Sequence, residues 1–177
     1  MPKKGSGTGG FFSSFTREKS FLGYFALLRV FVGSAFLTAG WEKYQHGWLS
    51  PDLGTGPLAR MLTVWISGPP TMPHNWYRSF LTGIVMPNAH LFGSLICLVE
   101  IVIGLLLILG LLSRLSALTG AFLSLNFLLA TWHISHVYRF ETEAFIVCSI
   151  LILLSAAGRS WGADWFLRRA WPKSILW

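Results

Sequence analysis

Charge is scarce in this chain of 177 residues: 12% are Asp, Glu, Lys or Arg, where globular domains carry about 25%. With 53% of residues hydrophobic, that shortage excludes a disordered chain and argues against a soluble monomer. Acid is rarer than base, 7 residues against 14, giving a net charge of +7. The basic residues gather at the two ends and in short gaps between apolar runs, and no basic patch carries a recognition motif, so nucleic acid is not an expected partner. Cysteine is nearly absent. Cys97 and Cys148 sit inside apolar runs with no C-x-x-C, which leaves no pair for a thiol–disulfide relay and reads as small apolar packing. No nucleophile–base pair, phosphate loop, H-E-x-x-H or dinucleotide fingerprint is present.

What the sequence has in abundance is long apolar runs. About 20 residues cross the hydrocarbon core, and four runs qualify: Phe21–Trp41, interrupted only by Arg29; Ala89–Leu112, containing only Glu100; Leu115–His136; and the shorter Glu143–Gly158. The fold class they predict is an all-α membrane protein, a four-transmembrane-helix bundle with a long outer loop containing short interfacial helices. Its divisions are a basic, flexible or interfacial segment over 1–20, the transmembrane domain over 21–158 with its loop at 42–88, and a basic, Trp-rich tail over 159–177. Arg29 inside the first run, and the lack of an A-x-A-like site after it, argue against a cleaved signal peptide. Ser113-Arg114 is read as a tight hairpin between the second and third runs.

Within the loop, Pro57–Ser67 and Asn75–Val85 have helical spacing but are too short to span. Gly68-Pro69-Pro70 separates them, and Pro73 and Pro87 bracket the second. The Phe11, Phe12 and Phe15 lead-in reads as amphipathic and membrane-surface. With the N-terminus cytoplasmic, nine basic residues lie inside and four outside, so both termini are expected in the cytoplasm. Trp41, Trp48, Trp65, Trp76 and Trp132 then form an outer aromatic belt, and Trp161, Trp165, Trp171 and Trp177 an inner one.

Intramembrane polar residues need partners, because each is costly alone. Measured from the inner ends of the runs at about 1.5 Å per residue, Arg29, Glu100 and Asn126 fall roughly 12, 18 and 16 Å deep. They read either as a structural Arg–Glu pair bridged by Asn126, or as a polar pocket for a quinone head group or a proton. Arg29 and Glu100 each precede a glycine by four positions, Gly33 and Gly104, which lets neighbouring helices approach closely. The histidines all fall on the outer side. His90 opens the second run, and His133 and His136 close the third with the i, i+3 spacing that places possible ligands on one helix face, although interfacial histidines are more often headgroup-level residues. No metal site is expected.

The stretch LRVFVGSAFLTAGWEKY (Leu28–Tyr44) resembles the first-helix signature of DoxX/DoxD-like membrane proteins, R-x-x-x-G-x-x-F followed by a Gly and a Lys. LVEIVIGLLLILGLLSRLSALTGAFLSLNFLLA is similar to the DoxD-type core, with its Glu, its G-L-L-x-R-L turn and the Asn of the third helix. The Gly158–Asp164 segment is similar to the family's S-x-D ending, departing from it at Trp161-Gly162. The resemblance implies a four-helix membrane fold in a bacterial or archaeal cytoplasmic membrane. In some members it implies a subunit of thiosulfate:quinone oxidoreductase. Two functions follow as expectations: an accessory subunit of a larger electron-transfer complex, or the oxidoreductase subunit itself. No covalent cofactor is expected, quinone or lipid is the expected small ligand, and the lipid bilayer and other membrane subunits are the expected partners.

Overall fold

The computed structural model describes residues 20–50, 56–68, 74–155, 162–164 and 169, with side chains from Tyr24 onward. The expected N-terminal lead-in and most of the expected C-terminal tail lie outside the described residues. Among the described residues every regular element is helical: α1 (Ser20–Gln45), α2 (Pro57–Ile66), α3 (Asn75–Phe80), α4 (Ala89–Leu109), α5 (Ser113–Thr131) and α6 (His136–Ser155). A π-helical turn over Leu81–Val85 and a 3-10 turn over Met86–Asn88 join α3 to α4. Among the described residues three helical stretches are, by length and composition, long and apolar enough to cross a bilayer: Tyr24–Gln45, Asn75–Leu109 and Ser113–Thr131. The helix at the fourth expected span carries Arg139, Glu141 and Glu143 in its first half, and it does not join that set.

One boundary matches the sequence reading and others differ. Pro87 was expected to bracket a short loop helix before the second span, and it does: it stands in the 3-10 turn, and Asn88 leaves helical geometry there (φ −113°, ψ 29°) before α4 begins. The Asn75–Leu109 stretch is therefore bent at that turn, and its first part packs back on α5, where Tyr77 Oη reaches Asn126 O at 3.0 Å. The α4–α5 turn lies at Gly110–Leu112, not at Ser113-Arg114. Gly110 and Leu112 both take left-handed conformations (φ 67° and 50°) and reverse the chain. The third helix stops at Thr131, with a turn before His136.

Helix α1 packs most extensively on α4, and α5 on α6. The α1–α4 seam runs through Gly33 and Gly104: a Cβ on Gly104 would stand 2.5 Å from the backbone nitrogen of Leu37 and 2.8 Å from the Gly33 carbonyl oxygen. Only glycine allows this approach, as small-residue helix packing requires. One core cluster, with Val32, Phe36, Ile103, Leu107, Ala117 and Ile152, fills the bundle. A second gathers Trp48, Leu58, Leu62, Tyr77, Leu81 and Cys97 where the 42–88 loop folds over α4 and α5. Trp48, expected in an aromatic belt, is buried in that cluster.

Candidate functional site

The antiparallel seam decides which charges meet. Arg29 and Glu100 each stand four residues before their glycine, and Gly33 faces Gly104. In antiparallel helices the two charges therefore point to opposite ends, separated by about eight residues or roughly 12 Å along the axis. The depth argument from sequence placed both helix ends on one plane. In fact α1 runs past α4 at its N-terminal end and continues through Lys43 at the other.

Glu100 is 2% exposed, and its Oε2 accepts a hydrogen bond from Lys43 Nζ at 2.6 Å. Lys43, assigned to the outer loop by sequence, is in the last turn of α1. Its ammonium also lies 5.5 Å from the Trp48 ring and 5.6 Å from the Phe127 ring, which replaces part of its lost hydration with two aromatic faces. Arg29, 1% exposed, packs at the other end against Gly110, where any Cβ would strike its guanidinium. The charge of Asp164 acts on it there. Asp164 is fully engaged: Oδ1 accepts from Leu112 N–H at 2.6 Å and Oδ2 from Ser113 N–H at 3.0 Å. It caps the start of α5 and ties the Gly162–Asp164 segment to the α4–α5 turn, with Asp164 N–H donating to Gly110 O.

Asn126 joins neither charge. Its side-chain amide donates to Phe122 O at 2.8 Å, while Tyr77 Oη donates to Asn126 O at 3.0 Å and approaches Oδ1 at 3.3 Å. The structure thus separates the three expected polar residues into three settings. The histidines are also dispersed. His90 is exposed in the first turn of α4. His136 Nδ1 lies 2.8 Å from Arg139 Nη2. His133 sits in the preceding turn against Gly68, whose carbonyl accepts from Arg78 Nη2 at 3.1 Å. Burial, then the nearby Arg78 charge, push the His133 imidazole below its ordinary pKa. Because α5 ends before them, His133 and His136 do not share a helix face, and among the described residues no cluster of His, Cys, Asp or Glu could hold a metal ion.

Two cavities flank the Trp65–Phe127 edge-to-face pair, whose centroids are 6.2 Å apart. One, of about 280 Å³, is lined by Tyr77, Thr119 and Asn126 among otherwise apolar side chains. Each of these three commits a donor to a backbone carbonyl: Tyr77 and Asn126 as above, and Thr119 Oγ1 to Leu115 O. The other, of about 720 Å³, is bounded by Lys43, Glu100, Trp48 and Phe127, with Arg60, Tyr138 and Glu141 toward its exposed side. That volume is in the usual range for a small-molecule site, and aromatic walls with a few convergent polar groups are the usual lining. Lys43 Nζ is the one hydrogen-bond partner of the Glu100 carboxylate among the described residues, so the acid keeps acceptor capacity facing the cavity.

Sequence reasoning singled out Glu100 but missed Lys43 and Asp164. Both stood inside stretches already matched to a family signature, and counting unmatched intramembrane charges against nearby helix-terminal ones would have found the Lys43 partner. A family model described as TQO small subunit DoxD matches residues 24–176. No solved structure matches the chain.

Proposed function

The chain belongs to the DoxD family, and on that premise we propose that it is the quinone-binding membrane subunit of a larger electron-transfer complex. The observation that carries the reading is the pairing of buried Glu100 with the partly buried Lys43 on the wall of an aromatic-lined cavity. A quinone ring is flat and apolar with two carbonyl acceptors. Trp48, Trp65 and Phe127 supply faces for the ring, and the Lys43 ammonium supplies a charged donor within the hydrocarbon-flanked interior. Keeping this charged pair costs several kcal/mol of desolvation per ion, an expense more easily understood for a site than for packing.

The word "small" in the family description supports a partner subunit, and the outward-facing rings of Tyr24, Phe31, Phe122 and Phe140 offer surface for one or for lipid. The two free cysteines lie on different helices, so the entry of electrons from a reduced sulfur donor such as thiosulfate is assigned to the partner. A second reading, favoured by those same outward rings, makes the chain a purely structural accessory with the quinone held elsewhere. Both readings keep the bilayer and other membrane subunits as partners.

Titration of the detergent-extracted native complex with a short-tailed benzoquinone, followed by tryptophan quenching, separates them. Saturable quenching that is lost in Lys43→Met supports the quinone seat. Unchanged quenching in that variant supports the accessory role. Size analysis with mass spectrometry of the same extract tests the complex: a chain that runs alone removes the partner from both readings.

A further inference from the structure

We propose that Glu100 exchanges the proton of the bound quinone and is replenished through the Tyr138–Glu141 side of the cavity, an inference resting on the quinone reading of that site. Reducing a quinone to its quinol takes two electrons and two protons. A carbonyl oxygen inside the bundle cannot draw protons freely from bulk water, so one acid must face the ring and one route must reach solvent. Glu100 meets the first need: it is buried, it lines the cavity, and its hydrogen-bond partner among the described residues is Lys43 alone.

The second need is met by the groups around it. From α1 comes Lys43, from α2 Arg60, and from α6 Tyr138 and Glu141; on its own helix Cys97 lies within electrostatic reach, one turn away. Glu141, Tyr138 and Arg60 are exposed while sharing the cavity with Glu100, so the cavity itself joins the acid to the surface. Lys43 has a distinct part: its ammonium compensates the carboxylate left after the proton departs. At the opposite end Asp164 is unsuited to the task, because both its oxygens accept backbone N–H groups.

Two electrons arrive from the sulfur-oxidising partner. Glu100, ionised beside Lys43 at rest, takes up one proton from solvent by way of the Glu141 side. Its new O–H bond breaks as an O–H bond forms on one quinone oxygen, which returns the carboxylate to Lys43, and the second quinone oxygen takes a second proton from solvent at the cavity mouth. Glu100 is in this sense a catalytic acid, while Glu141 acts at the mouth and does not touch the ring.

The test uses the full chain in nanodiscs with a short-tailed benzoquinone, an electrode supplying the electrons, and infrared difference spectra as readout. Quinone reduction is expected to produce a transient carboxyl protonation band that vanishes in Glu100→Gln and persists, shifted, in Glu100→Asp. Glu141→Gln is expected to keep the band and slow its rise. In the native complex, Glu100→Gln is expected to slow quinone reduction roughly 100-fold, the scale of general acid catalysis. Tryptophan quenching by the quinone is measured in parallel. Quinone binding without the band, or a band that survives Glu100→Gln, overturns the proton role and leaves the quinone seat standing. Absence of quinone binding to the native chain overturns both.

Discussion

Gly33 and Gly104 face each other across the α1–α4 seam so closely that a Cβ on Gly33 would stand 3.0 Å from the Gly104 carbonyl oxygen. This one register sends Arg29 to one end of the bundle and Glu100 to the other. It follows that the seam, and not an attraction between Arg29 and Glu100, sets the register of the two helices. Gly104→Ala is expected to lower stability by about 1–3 kcal/mol, the usual cost of overpacking. Thermal unfolding in detergent checks it, and an unchanged midpoint would show that the helices are free to slide apart.

The Lys43–Glu100 pair has 18% and 3% side-chain exposure, so removing one member strands the other. Glu100→Leu alone is expected to cost about 3–5 kcal/mol, while the double variant Lys43→Met/Glu100→Leu recovers most of that loss. A double-mutant cycle by chemical denaturation measures the difference. Additive losses would mean that the two side chains do not interact.

Asp164 is expected to matter twice, as a cap and as a charge. Asp164→Asn retains an acceptor for the start of α5 but removes the charge that acts on Arg29. Asp164→Ala removes both, so it should be the more destabilising by about 1 kcal/mol, the worth of a cap. Equal effects would assign the whole contribution to charge.

His133 supplies a pH dependence whose sign is fixed. Its folded pKa lies below the ordinary value near 6.5. Above 6.5 the ring is neutral in both states and contributes nothing. As pH falls from there toward the depressed folded value, the unfolded chain takes up the proton more readily and stability declines. His133→Gln is expected to flatten the unfolding midpoint over that interval. Equal acid sensitivity in native and variant protein would place the titrating group elsewhere.

The helical, membrane-spanning character was legible because runs such as Ala89–Leu112 are longer and more apolar than any soluble helix needs. That Glu100 would be buried against a partner was legible because a lone acid in such a run demands one. Its partner was not legible, since hydropathy ends the first helix at Trp41 while the backbone continues to Gln45, carrying Lys43 into reach. The depth ruler also failed, because it took helix ends from apolar runs, and the actual register comes from two glycines. Nor does local pattern say that Asp164, remote in sequence, would return to cap α5.

The claim on which the functional account turns is that quinone sits beside Lys43 and Glu100. Photolabelling of native membranes with an azido-quinone, followed by peptide mapping, tests it most directly. The account predicts label on the residues around that cavity, Trp48, Trp65, Phe127 and Tyr138, and its loss on competition with unlabelled quinone. Label confined to the Arg29–Asp164 end, or none on this chain while a partner subunit is labelled, would contradict it.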